Sequence, residues 1–456
     1  MDKLLPCLAI SAAKSVSSLI RFFGMGMASS LPGKVANTIC PSILPFLANQ
    51  LPQGCLAITG TNGKSTTSGL LASILRETGY QVIHNRQGAN LIAGITAAFI
   101  EETSIGGSLK GNFGLLEVDE AALPVLTKAV CCQSIVVTNL FRDQLDRYGE
   151  LDKTAQLITS GIKEQNSAAI LNADDPNVCN LPCPGRKIFY GLDYCEPIQE
   201  GSQSNSCAGA EISYCPKCGH EISYLTSSNA SSLWKCSNCN YSRPELDFYA
   251  DGIELLPSSS NFTLHSKLQS ATINLPLPGL FNVYNATAAG AAAFSFGIGL
   301  NTIKRGLEQY ETLFGRSEKL KINEHMVIIQ LIKNPAGTSK SLASLANGHC
   351  TQVLIAINDN LADGRDISWL WDANFEILAH ISPSFFVSGQ RAQDMAVRLK
   401  YAGVDSGKIT CIPSLSLAFK QALEQMPANT TLWVLPTYTA LLEMQKILKQ
   451  YKTMVH

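Results

Sequence analysis

The sequence predicts an α/β protein with two parallel-sheet domains, the first opening on a phosphate-binding loop and interrupted by a small cysteine-rich module. Three observations carry this prediction. Short apolar runs alternate with helical patterns from Leu56 to Leu171 and again from Met326 to Leu435, the rhythm of a βα-repeating sheet. A turn, Gly60-Thr61-Asn62-Gly63-Lys64-Ser65-Thr66, joins the first run to the first helix. Two C-x-x-C pairs stand in a Ser- and Asn-rich stretch where the rhythm stops. At 456 residues the chain has length for two to four domains, and with 46% hydrophobic and 16% charged residues disorder over most of it is excluded. A net charge of -1 leaves no basic field for a nucleic-acid backbone.

In chain order, residues 1–50 read as a helical lead segment with a break at Pro32-Gly33. Lys14 and Arg21 follow the short apolar stretch Leu4 to Ile10 without a small-residue cleavage site, so no secretory signal is expected. Leu19, Ile20, Phe22 and Phe23 would suit either a membrane-touching face at the inner surface of a plasma membrane or packing against the protein; packing in a soluble, cytoplasmic protein is the expectation. Residues 51–315 form the first α/β domain. Its strands are expected at Leu56 to Thr59, Gln81 to His84, Phe113 to Val118, Ser134 to Thr138 and Ala168 to Leu171, with a helix from Ser65 to about Thr78. Residues 200–260 break the pattern before it resumes near Leu275, and 205–250 read as an inserted module. The uncharged segment Ala271 to Ile303 contains Pro276, Pro278, Asn282, Asn285 and Asn301, so it reads as a turn and a buried small-residue helix and not as a membrane span. A second α/β domain, 316–456, has strands at Met326 to Ile332, Gln352 to Ile357, Ser384 to Ser388, Lys408 to Ile412 and Thr431 to Leu435.

A Gly-rich turn alone often marks only a turn. Here a strand precedes it and a helix follows, so its backbone N–H groups and the helix N-terminus form a concavity for phosphate. Lys64 would reach the terminal phosphates and the Ser65 hydroxyl would ligate Mg²⁺. Because Ile58 occupies the first glycine position of the common pattern, Gly60 opens a shorter variant of the loop.

The loop resembles that of the Mur ligases and their folylpolyglutamate synthase relatives, which use G-T-x-G-K-S/T. These are ATP-dependent ligases that phosphorylate a carboxylate and let an amine attack the acyl phosphate. Five further stretches are similar to family motifs in the same order: Leu116 to Glu120; Thr138-Asn139-Leu140 with Asp143 to Gly149; Leu171 to Pro176; Gly279 to Ala286; and Gly315-Arg316. The resemblance implies Glu117 as an Mg²⁺ ligand, Asn282 and Asn285 near the nucleotide, and Arg316 on the phosphates. Departures are equally definite. The family's D-H-L-D histidine is Gln144, its carbamylated lysine has no counterpart near Ile158, and its D-Y-A-H-N-P is here Gln330 to Pro335. These put amino-acid addition in doubt and leave ATP binding untouched.

Cys215-x-x-Cys218 and Cys236-x-x-Cys239, 17 residues apart, suit a tetrahedral Zn²⁺ on two knuckles; a redox pair or coincidental buried thiols are the alternatives. A closed four-thiolate site has no open position, so its role is expected to be structural. Tyr214 and Trp234 are placed for a small ribbon core, and three basic residues, Lys217, Lys235 and Arg243, are too few for nucleic acid.

A ribbon inserted in a Mur-type ATPase domain narrows the resemblance to the MurT family, synthetase subunits of lipid II isoglutaminyl synthase. The run Asp359-Asn360-Leu361-Ala362-Asp363-Gly364-Arg365-Asp366-Ile367-Ser368-Trp369-Leu370-Trp371-Asp372 is similar to that family's signature, as are Lys333 to Gly337 and Leu435 to Ala440. The resemblance implies a partner, a GatD-like glutaminase, whose Cys–His pair is completed by an aspartate of this domain. Asp363 is the first choice, with Asp359 and Asp366 beside it; a turn carboxylate capping backbone N–H groups is the plain alternative for each. Cys350 and Cys411 read as core thiols, so ammonia is expected from another chain. The implied reaction is ATP-dependent amidation of the α-carboxylate of the stem D-glutamate in lipid II. The competing expectations are a ligase adding a free amino acid and a non-catalytic ATP-binding scaffold.

Overall fold

The structure is a computed structural model and describes residues 4–22, 30–85, 89–140, 151–165, 167–193, 214–224, 234–256, 259–311, 316–322, 324–346, 351–360, 362–381, 383–427 and 430–453. Its strands are β1 (Cys55–Thr59), β2 (Val82–His84), β3 (Phe113–Glu117), β4 (Cys132–Val137), β5 (Ala168–Asn172), β6 (Lys187–Leu192), β7 (Ile222–Tyr224), β8 (Trp234–Cys236), β9 (Phe248–Leu255), β10 (Ser260–Ser266), β11 (Ser270–Leu275), β12 (Arg316–Ile322), β13 (His325–Gln330), β14 (Gln352–Ala356), β15 (Ser384–Ser388), β16 (Ile409–Cys411) and β17 (Thr431–Pro436).

The larger sheet runs β11-β10-β9-β6-β5-β4-β1-β3-β2. Pairing is parallel from β2 through β9 and antiparallel over β9, β10 and β11. β1 is a continuous buried run, as a strand covered on both faces must be. One face is covered by the helices Lys64–Glu77, Leu280–Ser295 and Leu300–Glu308. The other is covered by Leu4–Phe22, Leu31–Ile39, Ile43–Ala48, Ile92–Glu101, Leu123–Ala129 and Leu151–Lys163. The chain returns from β2 to β3, then crosses β1 to reach β4, so the strand order reverses at the carboxyl end of β1. Open α/β sheets bind ligands at such a point.

The second sheet runs β12-β13-β17-β14-β15-β16, parallel except for the β12–β13 pair. Helices cover both faces, including Pro335–Ala346 and Ala392–Tyr401 on one and Leu415–Glu424 and Tyr438–Thr453 on the other. A two-stranded sheet, β7-β8, carries the cysteine pairs.

Four expectations change. The sheet rhythm resumes at Phe248 and not near Leu275: β9, β10 and β11 extend the main sheet by pairing edge to edge, a pattern without βα alternation to reveal it. Pro32-Gly33 begins a helix, since Pro lacks an N–H that the first turn does not need, and a Cβ on Gly33 would fall on the Ala93 carbonyl. In helix Leu4–Phe22 it is Ala9, Ile10 and Ala13 that pack, whereas Leu19 and Phe22 are exposed with Leu4, Leu5 and Leu8. Phe23 lies outside the described residues. Cys411 is exposed at the end of the edge strand β16, not a core thiol, and Cys350 lies outside the described residues. No helix among the described residues is long and apolar enough to cross a membrane.

Candidate functional site

The loop after β1 turns on two glycines with positive φ, Gly60 (+118°) and Gly63 (+85°). Neither can carry a Cβ: at Gly60 it would lie 2.4 Å from Thr138 Oγ1, at Gly63 2.2 Å from Asn285 Oδ1. The strand-end segment after β4 holds the loop from below. Thr61 N–H donates to the Asn139 carbonyl (3.0 Å) and Asn62 N–H to Asn139 Oδ1 (2.8 Å), while Thr138 Oγ1 donates to Asn62 O (2.7 Å). Lys64 opens the following helix, and its buried ammonium bonds Glu120 Oε1 (2.7 Å) and the carbonyls of Thr61 (3.3 Å) and Gly60. Ser65 Oγ donates to Glu117 Oε1 (2.9 Å). Glu117 is itself fixed at the end of β3 because the Asn85 side-chain amide donates to its carbonyl (2.7 Å) and accepts from its N–H (2.8 Å). A hydroxyl and a carboxylate thus converge beside a lysine at a helix N-terminus, a donor set suited to a hard divalent cation and to phosphate. Thr66 lies buried in the first turn of that helix.

Asn282 and Asn285 sit in the first turns of helix Leu280–Ser295. Asn282 Nδ2 donates to the Pro278 carbonyl (2.7 Å), and Asn285 Oδ1 accepts from Thr67 Oγ1 (3.3 Å) over Gly63. Its middle, Ala286 to Ala293, is all small residues, which lets it lie close against Lys64–Glu77. Arg316 opens β12, away in the second sheet's edge; its side chain is outside the described residues, as is Asp143 to Gly149 with Gln144.

The turn after β5 does more than begin a helix. Asp175 caps Pro176–Cys179 through Asn177 N–H and Val178 N–H, and its other oxygen accepts from Leu140 N–H (2.7 Å). Asp174 is fully enclosed and pairs with Arg243 (Nε to Oδ1, 2.6 Å), with Tyr284 OH (2.8 Å) and Leu192 N–H (2.8 Å) on its second oxygen. Burial pushes the Asp174 carboxyl up from its ordinary value, and Arg243 followed by the two hydrogen bonds pulls it back down.

The four cysteines Cys215, Cys218, Cys236 and Cys239 bring their sulfurs within 4.8 Å of one another. Cys215–Cys239 and Cys218–Cys236 are 3.6 and 3.5 Å apart. Two thiolates at about 2.3 Å from a tetrahedral Zn²⁺ lie about 3.8 Å apart, so the cluster is compatible with that ion. Gly219 and Asn240 take positive φ just after the knuckles. Trp234 is fully buried and edge-on to Tyr241, whereas Tyr214, expected in this core, is 63% exposed. Elsewhere, burial pushes the Cys55 thiol up to about 12, which keeps it neutral beside Cys132 on the next strand.

The aspartate run leaves the carboxyl end of β14. Asp363 is buried and accepts from Thr439 N–H (2.7 Å), Thr439 Oγ1 (2.6 Å) and Asn360 N–H (3.2 Å), tying the loop to the segment after β17. Asp359 accepts both Arg391 Nη2 (2.6 Å) and Nε (2.9 Å) and is partly exposed. Asp366 is also partly exposed and accepts from Ser368 N–H (2.8 Å), which holds its carboxyl below the usual value. The two sheets meet at their carboxyl ends, where Asn334 Nδ2 donates to Asn62 Oδ1 (3.0 Å).

Residues 58–193 match the Mur ligase middle domain, and residues 331–441 match the MurT ligase C-terminal domain. The chain is 34% identical, over 96% of its own length and 96% of the relative's, to the lipid II isoglutaminyl synthase (glutamine-hydrolyzing) subunit MurT of Staphylococcus aureus. The chain belongs to the MurT family. The Streptococcus pneumoniae MurT subunit is 32% identical over 93% of each chain. In fold, the chain is similar to MurF from Acinetobacter baumannii, with a TM-score of 0.66, 20% identity and 92% and 80% of the two chains covered.

For this MurT-family chain, the sequence singled out the loop and the aspartate run by motif order and the cysteine quartet by C-x-x-C spacing, and the fold gathers the quartet's sulfurs. Motif order missed Glu120, three residues past Glu117 in the same quoted stretch, and the Asn62–Asn334 contact, which spans 272 positions. The Asp174–Arg243–Tyr284 cluster left no local signal, since its members come from three elements far apart in the chain.

Proposed function

We propose that this chain is the synthetase subunit of a two-subunit enzyme that uses ATP to amidate the α-carboxylate of D-glutamate in the lipid II stem peptide, giving D-isoglutamine, ADP and phosphate. One observation carries the reading: the end-to-end match, at about a third identity, to subunits named for that reaction. The nucleotide occupies the Gly60–Thr66 loop, with Asn282 and Asn285 on its flank; the family resemblance also assigns Arg316 to the phosphates. Ser65 and Glu117 would hold Mg²⁺, which would supply charge neutralisation to the phosphoryl group. Lys64, which Glu120 holds beside the loop, is the cation that meets the terminal phosphates. The substrate carboxylate attacks the γ-phosphorus, ADP leaves, and the acyl phosphate is then opened by ammonia with loss of phosphate and a proton. Positioning and electrostatics do most of this work.

Residues 51–315 perform the phosphorylation, 205–250 hold structural zinc, and 316–456 meet a GatD-like glutaminase that releases the ammonia. A carboxylate of the 359–366 loop completes that partner's Cys–His pair by fixing the imidazole's tautomer. Partial exposure favours Asp366 and Asp359 over Asp363, whose oxygens are engaged by Thr439 and Asn360. The chain works at the cytoplasmic face of the membrane, where its substrate's headgroup lies.

The test is reconstitution with the candidate glutaminase, lipid II, ATP and either glutamine or ammonium. Amidation from both nitrogen sources, lost in Lys64→Ala, is the expected result. Incorporation of a free amino acid without need for ammonium would overturn it. Full amidation by Lys64→Ala would favour a scaffold. If Asp359→Asn, Asp363→Asn and Asp366→Asn all left glutamine hydrolysis unchanged, the shared-triad assignment would fall.

A further inference from the structure

The cysteine module does not merely cover the sheet. Three side chains from its second half converge on one turn, residues 173–176. Trp234 Nε1 donates to the Ala173 carbonyl (2.9 Å), Tyr241 OH donates to the Pro176 carbonyl (3.2 Å), and Arg243 pairs with Asp174. Gly191 leaves the room that this ion pair fills, since a Cβ there would lie 2.8 Å from Arg243 Nη2 and 2.9 Å from Asp174 Oδ2. A buried ion pair is an expensive way to attach a cover, because apolar residues would do so at lower desolvation cost.

The same turn faces the phosphate loop by two separate routes. Asp175 accepts from Leu140 N–H, and the preceding residue, Asn139, holds Thr61 N–H and Asn62 N–H. Asp174 accepts from Tyr284 OH, and the next residue, Asn285, stands against Gly63 and Thr67. One route supports the loop at Thr61–Asn62, the other at Gly63 and the first turn of its helix.

We propose that the 173–176 turn is a relay that makes the metal-loaded ribbon a positioning module for the nucleotide loop, with Asp174, Asp175, Arg243 and Tyr284 as positioning residues. The inference rests on reading Gly60–Thr66 as the nucleotide loop. The ribbon fixes the turn, and the turn fixes both flanks of the loop. Linkage then requires that zinc occupancy and Mg-ATP binding strengthen each other by the same factor.

The experiment measures Mg-ATP binding to the full chain by calorimetry in four forms: zinc-loaded, zinc-stripped by chelator, Tyr284→Phe and Lys64→Ala. Tyr284→Phe removes one hydroxyl and leaves the ring in place. The dissociation constant should rise roughly 3- to 30-fold in the stripped chain and in Tyr284→Phe. In the reconstituted complex KM for ATP should rise by a similar factor while KM for ammonium stays unchanged. Zinc affinity, followed by competition with a chromophoric chelator, should rise by the matching factor when Mg-ATP saturates the chain. A module that only stabilises the fold would lower the melting temperature without this reciprocity. Unchanged ATP affinity in Tyr284→Phe, or zinc affinity indifferent to Mg-ATP, overturns the relay. If the stripped chain unfolds, Tyr284→Phe and Asp175→Asn decide the matter on nucleotide affinity. Wild-type protein that binds no Mg-ATP would overturn the loop reading and the relay together; wild type that binds, beside a Lys64→Ala that does not, confines any failure to the relay.

Discussion

Lys64 carries two jobs that one substitution can separate. Its ammonium lies 2.7 Å from Glu120 Oε1, with the two side chains only 9% and 4% exposed. Lys64→Ala therefore leaves Glu120 charged, buried and without that partner. Removing one member of a buried pair costs about 3–5 kcal/mol. For a domain of a few hundred residues each kcal/mol moves the melting temperature about 2–4 °C, so the variant should melt roughly 6–20 °C lower. Adding Glu120→Gln replaces the stranded charge with a neutral amide of the same shape and should recover most of that loss. Neither variant should bind Mg-ATP. Differential scanning calorimetry without nucleotide, paired with titration calorimetry, reads both effects. A Lys64→Ala chain that melts within about 2 °C of wild type would refute the reasoning, since it would mean that the pair is solvated and contributes as little as a surface ion pair.

Gly63→Ala places a side chain at a φ of +85° and 2.2 Å from Asn285 Oδ1, so it should cost at least about 1–2 kcal/mol and weaken Mg-ATP binding; unchanged affinity would contradict the loop geometry. Metal analysis of the purified chain should find about one zinc per chain, and Cys236→Ser, whose residue is fully buried, should lose both the metal and thermal stability. Asp366 is held below its ordinary value, so its bond to Ser368 stabilises the fold above the unfolded value of about 4 and is lost as pH falls through the folded one. Melting curves of wild type and Asp366→Asn should accordingly differ at neutral pH and converge in acid. Asp363→Asn removes an acceptor from a carboxylate bonded to Thr439 through both N–H and Oγ1, and hydrogen exchange should show Thr439 N–H losing protection.

The sequence by itself determined what is local. A strand, a glycine-hinged turn and a helix are adjacent in the chain, so Gly60 to Ser65 announced its own shape, and a C-x-x-C knuckle is likewise complete within a few residues. The strands expected at Ser384 to Ser388 and from Gln352 to Ile357 were legible because a strand buried on both faces is a continuous apolar run. β9, β10 and β11 were not, because they follow one another without intervening helices and lie next to a cysteine-rich insertion that masks their rhythm. Only the tertiary structure decided which groups share a site. It set Lys64 on Glu120, laid Asn285 over Gly63, brought Asn334 to Asn62, and joined Arg243 and Tyr284 to Asp174. The physical reason is that burying a charge or an amide is tolerable only with a partner in place, and such partners are chosen by proximity in the folded chain, which no spacing along the sequence records.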